Sequence, residues 1–304
     1  MIHIRSLLVS VLFLFSFSVL SIAQNNSFDS TVIFHPKSAL KLVSRQFSFT
    51  EGPAVDKKGN IYFTDQPNNK IWKYTNTGHL EVFKEDAGRS NGMYFDSENK
   101  LITCADEHNE LWQIDRHGNV KVLLKDFKGI KFNGPNDVWT DRSRGIYFTD
   151  PYYQRDYWVR KQPDMEKQRV YYLCYGADSA KIATDDVKQP NGIVGTPDGK
   201  VLYIADFGQG KTFKYSIAAD GSLFDRQVFA NMASDGMTID DKGNVYLTGK
   251  GVTVFNSSGH QIAHISVPEK WTANVCFGGK RKDLLFITAS EGIYIRKMAV
   301  KGVE

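Results

Sequence analysis

Long apolar runs, clustered charge, paired cysteines and helical periodicity are nearly missing from this chain, and each absence removes a class of protein. A single apolar run stands out, Leu7 to Leu20. Its 14 residues, interrupted by serine, fall short of the roughly 20 needed to span a bilayer. The run follows His3 and Arg5 and leads into Ser21-Ile22-Ala23, with small residues at the positions a signal peptidase reads. Residues 1–23 are therefore expected to be a removable export signal, and residues 24–304 a single soluble domain in the periplasm or outside the cell. No second apolar run exists, so no stable membrane insertion is expected. The net charge of +4 is spread without blocks, which gives no reason to expect nucleic acid, and nothing points to an obligate protein partner. The three cysteines, Cys104, Cys174 and Cys276, are odd in number and far apart, which excludes a disulfide framework or a paired-cysteine zinc cluster. Cys104 and Cys276 sit in apolar strand patterns and read as small buried hydrophobes. An oxidising compartment would allow one pair of the three to bridge, and the sequence does not choose which. No Gly-x-Ser-x-Gly elbow occurs, which disfavours a serine nucleophile.

What the chain does have is a repeat. The stretch Phe132 to Pro151 reads as a turn rich in Asn, Gly and Pro, a short strand, a polar turn, and a second strand that stops at Asp150-Pro151. Its layout recurs five more times, each copy opening on a polar residue: Glu51, Asn91, Asn136, Asn191, Asp235 and Asn274. The openers lie 40, 45, 55, 44 and 39 residues apart. Each copy is followed by two further strands joined by tight turns, as at Asn76-Thr77-Gly78 and Arg116-His117-Gly118. A period of this length with four strands per unit predicts an all-β fold, a six-bladed β-propeller. The last unit is one strand short. The alternating segment Ala39 to Ser44 is expected to supply that strand and close the ring, leaving no exposed edge there.

Propeller geometry then places the openers on one face of the central channel, at the start of the innermost strands. The loops between second and third strands should rim the same mouth, near residues 65–69, 106–109, 150–169, 206–210, 249–251 and 290–292. The third is much the longest and carries Tyr152, Tyr153, Arg155, Tyr157 and Trp158. It is expected to be either a lid or substrate wall or a packing insertion.

One Asn or Asp before Gly is ordinary turn chemistry. Six oxygen-bearing side chains in register are a different matter, Glu51 above all, since Glu is no turn former and a buried carboxylate needs a partner. Converging carboxylate and carboxamide oxygens without His or Cys suit one hard divalent cation, calcium first, whose charge Glu51 and Asp235 would balance. None of the seven histidines opens a unit, which disfavours a typical zinc site.

The runs Asn133-Gly-Pro-Asn-Asp-Val138 and Tyr147-Phe-Thr-Asp-Pro151, with Glu51-Gly-Pro53, Pro190-Asn-Gly192 and Ser234-Asp-Gly236, resemble the signature of the gluconolactonase/regucalcin family. More distantly the chain is similar to the paraoxonases and strictosidine synthase-like propellers. The resemblance implies a six-bladed hydrolase with one divalent ion in the channel, commonly calcium, with zinc or manganese also used. It implies Glu51, Asn136, Asn191 and Asp235 as metal ligands and Asp235 as general base. A small lactone or sugar-acid substrate is implied, with Asn91, Asn136, Tyr152, Arg155 and Trp158 as candidate contacts. In regucalcin-like members an arginine two residues before the Asn136 position helps hold substrate, and here that place is Gly134. In paraoxonases the Asn91 position is a histidine, so their chemistry is not expected. The implied reaction is metal-assisted ester hydrolysis. The competing expectations are another enzyme on the same scaffold, or a non-catalytic binding propeller of Asn-His-Leu repeats, whose Asp-x-x-Gly-Asn-Ile-Tyr-Val units Asp56–Phe63 and Asp240–Leu247 resemble.

Overall fold

The computed structural model describes residues 33–304, so the expected signal segment, 1–23, lies outside the described residues. Twenty-four strands form six antiparallel four-stranded sheets, and among the described residues there is no helix. The innermost strands are Thr50–Val55, Ser90–Phe95, Val138–Thr140, Pro190–Gly195, Met237–Ile239 and Asn274–Gly278. They contact one another in succession around the ring, and Asn274–Gly278 returns to Thr50–Val55. The sheets are the blades of a six-bladed propeller. Five are made of four consecutive strands. The sixth takes its outer strand, Lys41–Ser44, from the other end of the chain, with Lys41 opposite Ile295 and Leu42 opposite Tyr294.

Alternation along the strands sends apolar side chains into the gaps between blades, and the core is divided among those gaps. Phe63 and Ile61 of the first blade pack with Cys276, Phe286 and Ile293 of the sixth. Ile102, Cys104 and Leu111 of the second meet Val138, Phe148 and Tyr171 of the third. Each such fully buried side chain contributes about 1.5–3 kcal/mol of transfer free energy. All three cysteines are free, with Cys104 and Cys276 buried and Cys174 exposed.

Two recurring polar devices fix the chain's path. In Asp56–Asn60, Asp56 Oδ1 accepts from the N–H groups of Lys58 and Asn60, while Asn60 Nδ2 donates to Asp56 Oδ2 at 2.8 Å. Asp240 and Asn244 repeat the arrangement. The Asp-x-x-Gly-Asn pattern is therefore hairpin chemistry and carries no information about ligands. The second device is the aspartate ending a second strand. Asp65 accepts the N–H groups of Ser48 and Phe49, Asp150 those of Asn133 and Gly134, and Asp206 those of Lys188 and Gln189. In each case the donors stand three and two residues before the opener, so these buried carboxylates set the angle at which the chain enters the channel.

Candidate functional site

The openers gather at one mouth of the channel, around a cavity of about 330 Å³ lined by Glu51, Asn91, Asn136, Asn191 and Asp235. Phe49, Phe207 and Trp271 add apolar walls, and Gln66, Tyr153, Arg155 and Gln189 add polar ones. Asn274, the sixth opener, lies just outside this lining, its Nδ2 donating to Glu51 Oε2 at 3.3 Å.

Glycine after the opener is explained by the neighbouring blade. A Cβ on Gly52 would lie 2.0 Å from the carbonyl oxygen of Asn91, and one on Gly236 would lie 1.8 Å from the carboxamide carbon of Asn274. Four of the six openers, Asn91, Asn136, Asp235 and Asn274, thus rest on the glycine of the blade before. Gly92 N–H also donates to Asn136 O, and Gly236 N–H to Ala273 O, both at 2.7 Å. Gly52 has a positive φ, 43°, whereas Gly92, Gly192 and Gly236 do not, so close approach rather than turn geometry requires them. Asn136 and Asp235 stand two residues ahead of their strands rather than at the first strand residue. There the hydroxyls of Thr149 and Thr248 take the N–H groups of Asp137 and Gly236, interrupting the ladder.

Glu51 is buried, and among the described residues its Oε2 accepts only the Gly52 N–H at 2.6 Å and the Asn274 amide. Burial, and secondarily the charge of Asp235, push its carboxyl well above the usual range. Asp235 is pushed up to about 6 by burial, opposed by hydrogen bonds from Trp271 and Asn191 and by the charge of Arg155. Trp271 Nε1 donates to Asp235 Oδ2 at 2.6 Å. Asn191 Nδ2 reaches the Tyr153 hydroxyl at 3.1 Å, and the carboxamides of Asn91 and Asn136 have no hydrogen-bond partner among the described residues. Two carboxylates without a salt-bridge partner, flanked by unclaimed carboxamide oxygens, make a donor set that fits a hard divalent cation. Among the described residues no three His, Cys, Asp or Glu side chains gather at one place, so two carboxylates need carboxamides to complete any such set.

The loop 150–169 is pinned down along most of its length. Trp158 is buried, its Nε1 donating to the Asp106 carbonyl at 3.0 Å, and Met165 is buried under Tyr171. Arg160 caps the carbonyls of Phe132 and Asn133. Of the aromatic and basic side chains expected to meet substrate, the structure brings Arg155 to the cavity, and Tyr153 beside it. The Tyr152 hydroxyl donates to Gln154 while its backbone N–H donates to Gln168, and Trp158 packs over Gly134.

The family model described as SMP-30/Gluconolactonase/LRE-like region matches residues 49–291. The chain belongs to that family. A gluconolactonase of Zymomonas mobilis is 26% identical over 292 residues, covering 86% of this chain and 82% of the relative. A gluconolactonase structure from Xanthomonas campestris superposes with a TM-score of 0.81 at 25% identity, covering 86% of this chain and 90% of that one. The calcium-binding protein regucalcin of Agrobacterium tumefaciens gives a TM-score of 0.72 at 18% identity, covering 87% and 95%, a likeness of fold alone. The span of the family model includes all six openers.

Proposed function

We propose that this chain hydrolyses lactones in the manner of the gluconolactonases it resembles, with the aid of one divalent cation. The observation that carries the reading is the pair Glu51, buried, and Asp235, half-buried, two acids at one channel mouth with no salt-bridge partner among the described residues but carboxamides on either side. Glu51, Asn136, Asn191 and Asp235 would hold the cation, and calcium matches their all-oxygen chemistry best, with zinc or manganese as alternatives. When bound, it would supply Lewis acidity at the ester carbonyl.

The remaining chemistry belongs to side chains of this chain. Asp235 is the base: it takes a proton from the water that attacks the carbonyl. Trp271 holds one oxygen of that carboxylate and so aims the other. Asn136 and Asn191 offer amide hydrogens to the substrate oxygens. Phe49, Phe207 and Trp271 exclude bulk water on one side and present apolar surface to the ring carbons.

The test is a panel of aldonolactones and simple lactones assayed before and after chelation, with calcium, zinc or manganese restored in turn. Turnover lost on chelation and regained with one ion supports the reading; turnover indifferent to chelation sinks the cation's role, and no turnover of any lactone sinks the activity. We also propose that the protein acts outside the cytoplasm. Intact mass of the exported protein should correspond to a chain beginning at Gln24, and a full-length mature protein would exclude it.

A further inference from the structure

Arg155 is the sole cation among the described residues lining the cavity, and the way it is held bears on the kind of lactone taken. Asp65, Asp150 and Asp206 each brace the backbone entering their blade's inner strand. The matching place in the second blade is Ala105, opposite Ser90 as Asp65 is opposite Thr50, so no acid braces the chain there; Asp106 is the next residue and does something else. The Arg89 N–H, two residues before the opener Asn91, goes to Asn69 Oδ1 at 2.7 Å. The Asp106 carboxylate instead accepts from Arg155 Nε at 2.9 Å, from the Tyr157 hydroxyl and from Gln66 Nε2 at 3.4 Å. Its carbonyl accepts from Trp158. An acid in the second blade's mouth loop thus seats the long loop of the third.

Anchoring through Nε fixes the plane of the Arg155 guanidinium and leaves both terminal amino groups without an acceptor among the described residues. The Tyr153 ring lies beside it, 5.8 Å from centroid to guanidinium carbon. A planar pair of free N–H donors is the complement of a carboxylate. We propose that Arg155 reads a carboxylate on the substrate, so that the preferred class is a lactone that still carries a free acid group, such as the lactone of a sugar diacid. This rests on the lactonase reading above and names its substrate. The space beside Gly134, where the resemblance would put an arginine, is filled by Trp158: a Cβ there would meet the indole at 2.8 Å. The cation therefore enters from the inserted loop instead. A phosphate is a poorer match. A single guanidinium faces the cavity, and among the described lining residues no lysine joins it.

The experiment compares three substrates on the intact protein: a neutral aldonolactone, the corresponding diacid lactone and a phosphate-bearing lactone. Binding of the open-chain diacid and of the open-chain neutral-side acid is measured separately by calorimetry. The expected result is that the wild type favours the diacid lactone, and that Arg155→Met lowers kcat/KM for it by about 10- to 100-fold, chiefly through KM, with a much smaller loss on the neutral lactone. Arg155→Lys, which keeps the charge without the fork, should fall between. Melting temperature checks that each variant folds. Equal use of both lactones with equal loss in Arg155→Met would overturn the assignment, as would a preference for the phosphate. Diacid binding that depends on Arg155 in a protein that turns over no lactone would uphold the carboxylate reader while removing the lactonase reading. Diacid binding indifferent to Arg155 would remove the reader.

Discussion

Trp271 Nε1 donates to Asp235 Oδ2 at 2.6 Å, which ties the proposed base to a loop between the fifth and sixth blades. The indole is itself steadied through its own backbone, where Trp271 N–H donates to Ser290 Oγ at 3.2 Å. Hydrogen bonds to a charged group are worth about 1.5–3 kcal/mol. Trp271→Phe keeps the ring and removes the donor, so kcat should fall roughly 10-fold or more with a nearly unchanged melting temperature. An unchanged kcat would mean that the carboxylate needs no such guide.

Asp235→Asn preserves an oxygen for Trp271 and removes the base. Turnover should drop by about 10²–10⁴-fold or beyond, measured at saturating lactone. Its neighbour on the adjoining blades behaves differently: Asp137 accepts the N–H of Val138 at 3.0 Å and of Ile193 at 3.3 Å and serves to join the third and fourth blades. Asp137→Ala should cost about 1–3 kcal/mol in chemical denaturation and injure turnover much less than Asp235→Asn.

Gly236→Ala places a methyl carbon where the Asn274 carboxamide now sits. Overpacking of this kind costs about 1–3 kcal/mol. Because Asn274 also donates to Glu51, the variant should lose cation affinity in calorimetry as well as thermal stability. Loss of stability without any change in cation binding would separate the two roles.

Asp150 predicts a pH effect on stability. Burial pushes its carboxyl up to about 7, despite the two backbone N–H groups it accepts. The folded protein therefore holds this proton more tightly than the unfolded chain, so the group's stabilising contribution is full below the ordinary range near 4 and is lost as pH rises through about 7. Relative to Asp150→Asn, the wild type should lose melting temperature between pH 5 and pH 8. Parallel curves for the two proteins would contradict this.

The fold was legible because the repeat is written twice, in polar openers and in the second strands that end in Asp. The openers' convergence followed from register alone. Phe49 and Gln189, missed as lining residues, were within reach of the same reasoning, since strand alternation puts a residue two before an opener on the opener's face. Gln66 and Phe207 fall in loops expected at the mouth, directly after the second strands. Within the 150–169 loop no period exists to tell which aromatic faces inward, and Tyr153 lines the cavity while Tyr152 and Trp158 do not. Trp271 gives no signal at all: it lies in a connection between blades, and its meeting with Asp235, 36 residues away, is a product of the ring. The tight turns that drew attention to Asn-Gly proved to be a packing requirement set by another blade.

That packing requirement has a consequence for how such rings diversify. Since at four seams the glycine of one blade is shaped to the opener of the next, and at the other two Asp137 and Asn274 make the joint, a blade is not a self-contained cassette. Transplanting one between relatives would break two joints, one on each side, while exchanging a matched opener and the preceding glycine would break none. The heritable unit in this channel is the seam.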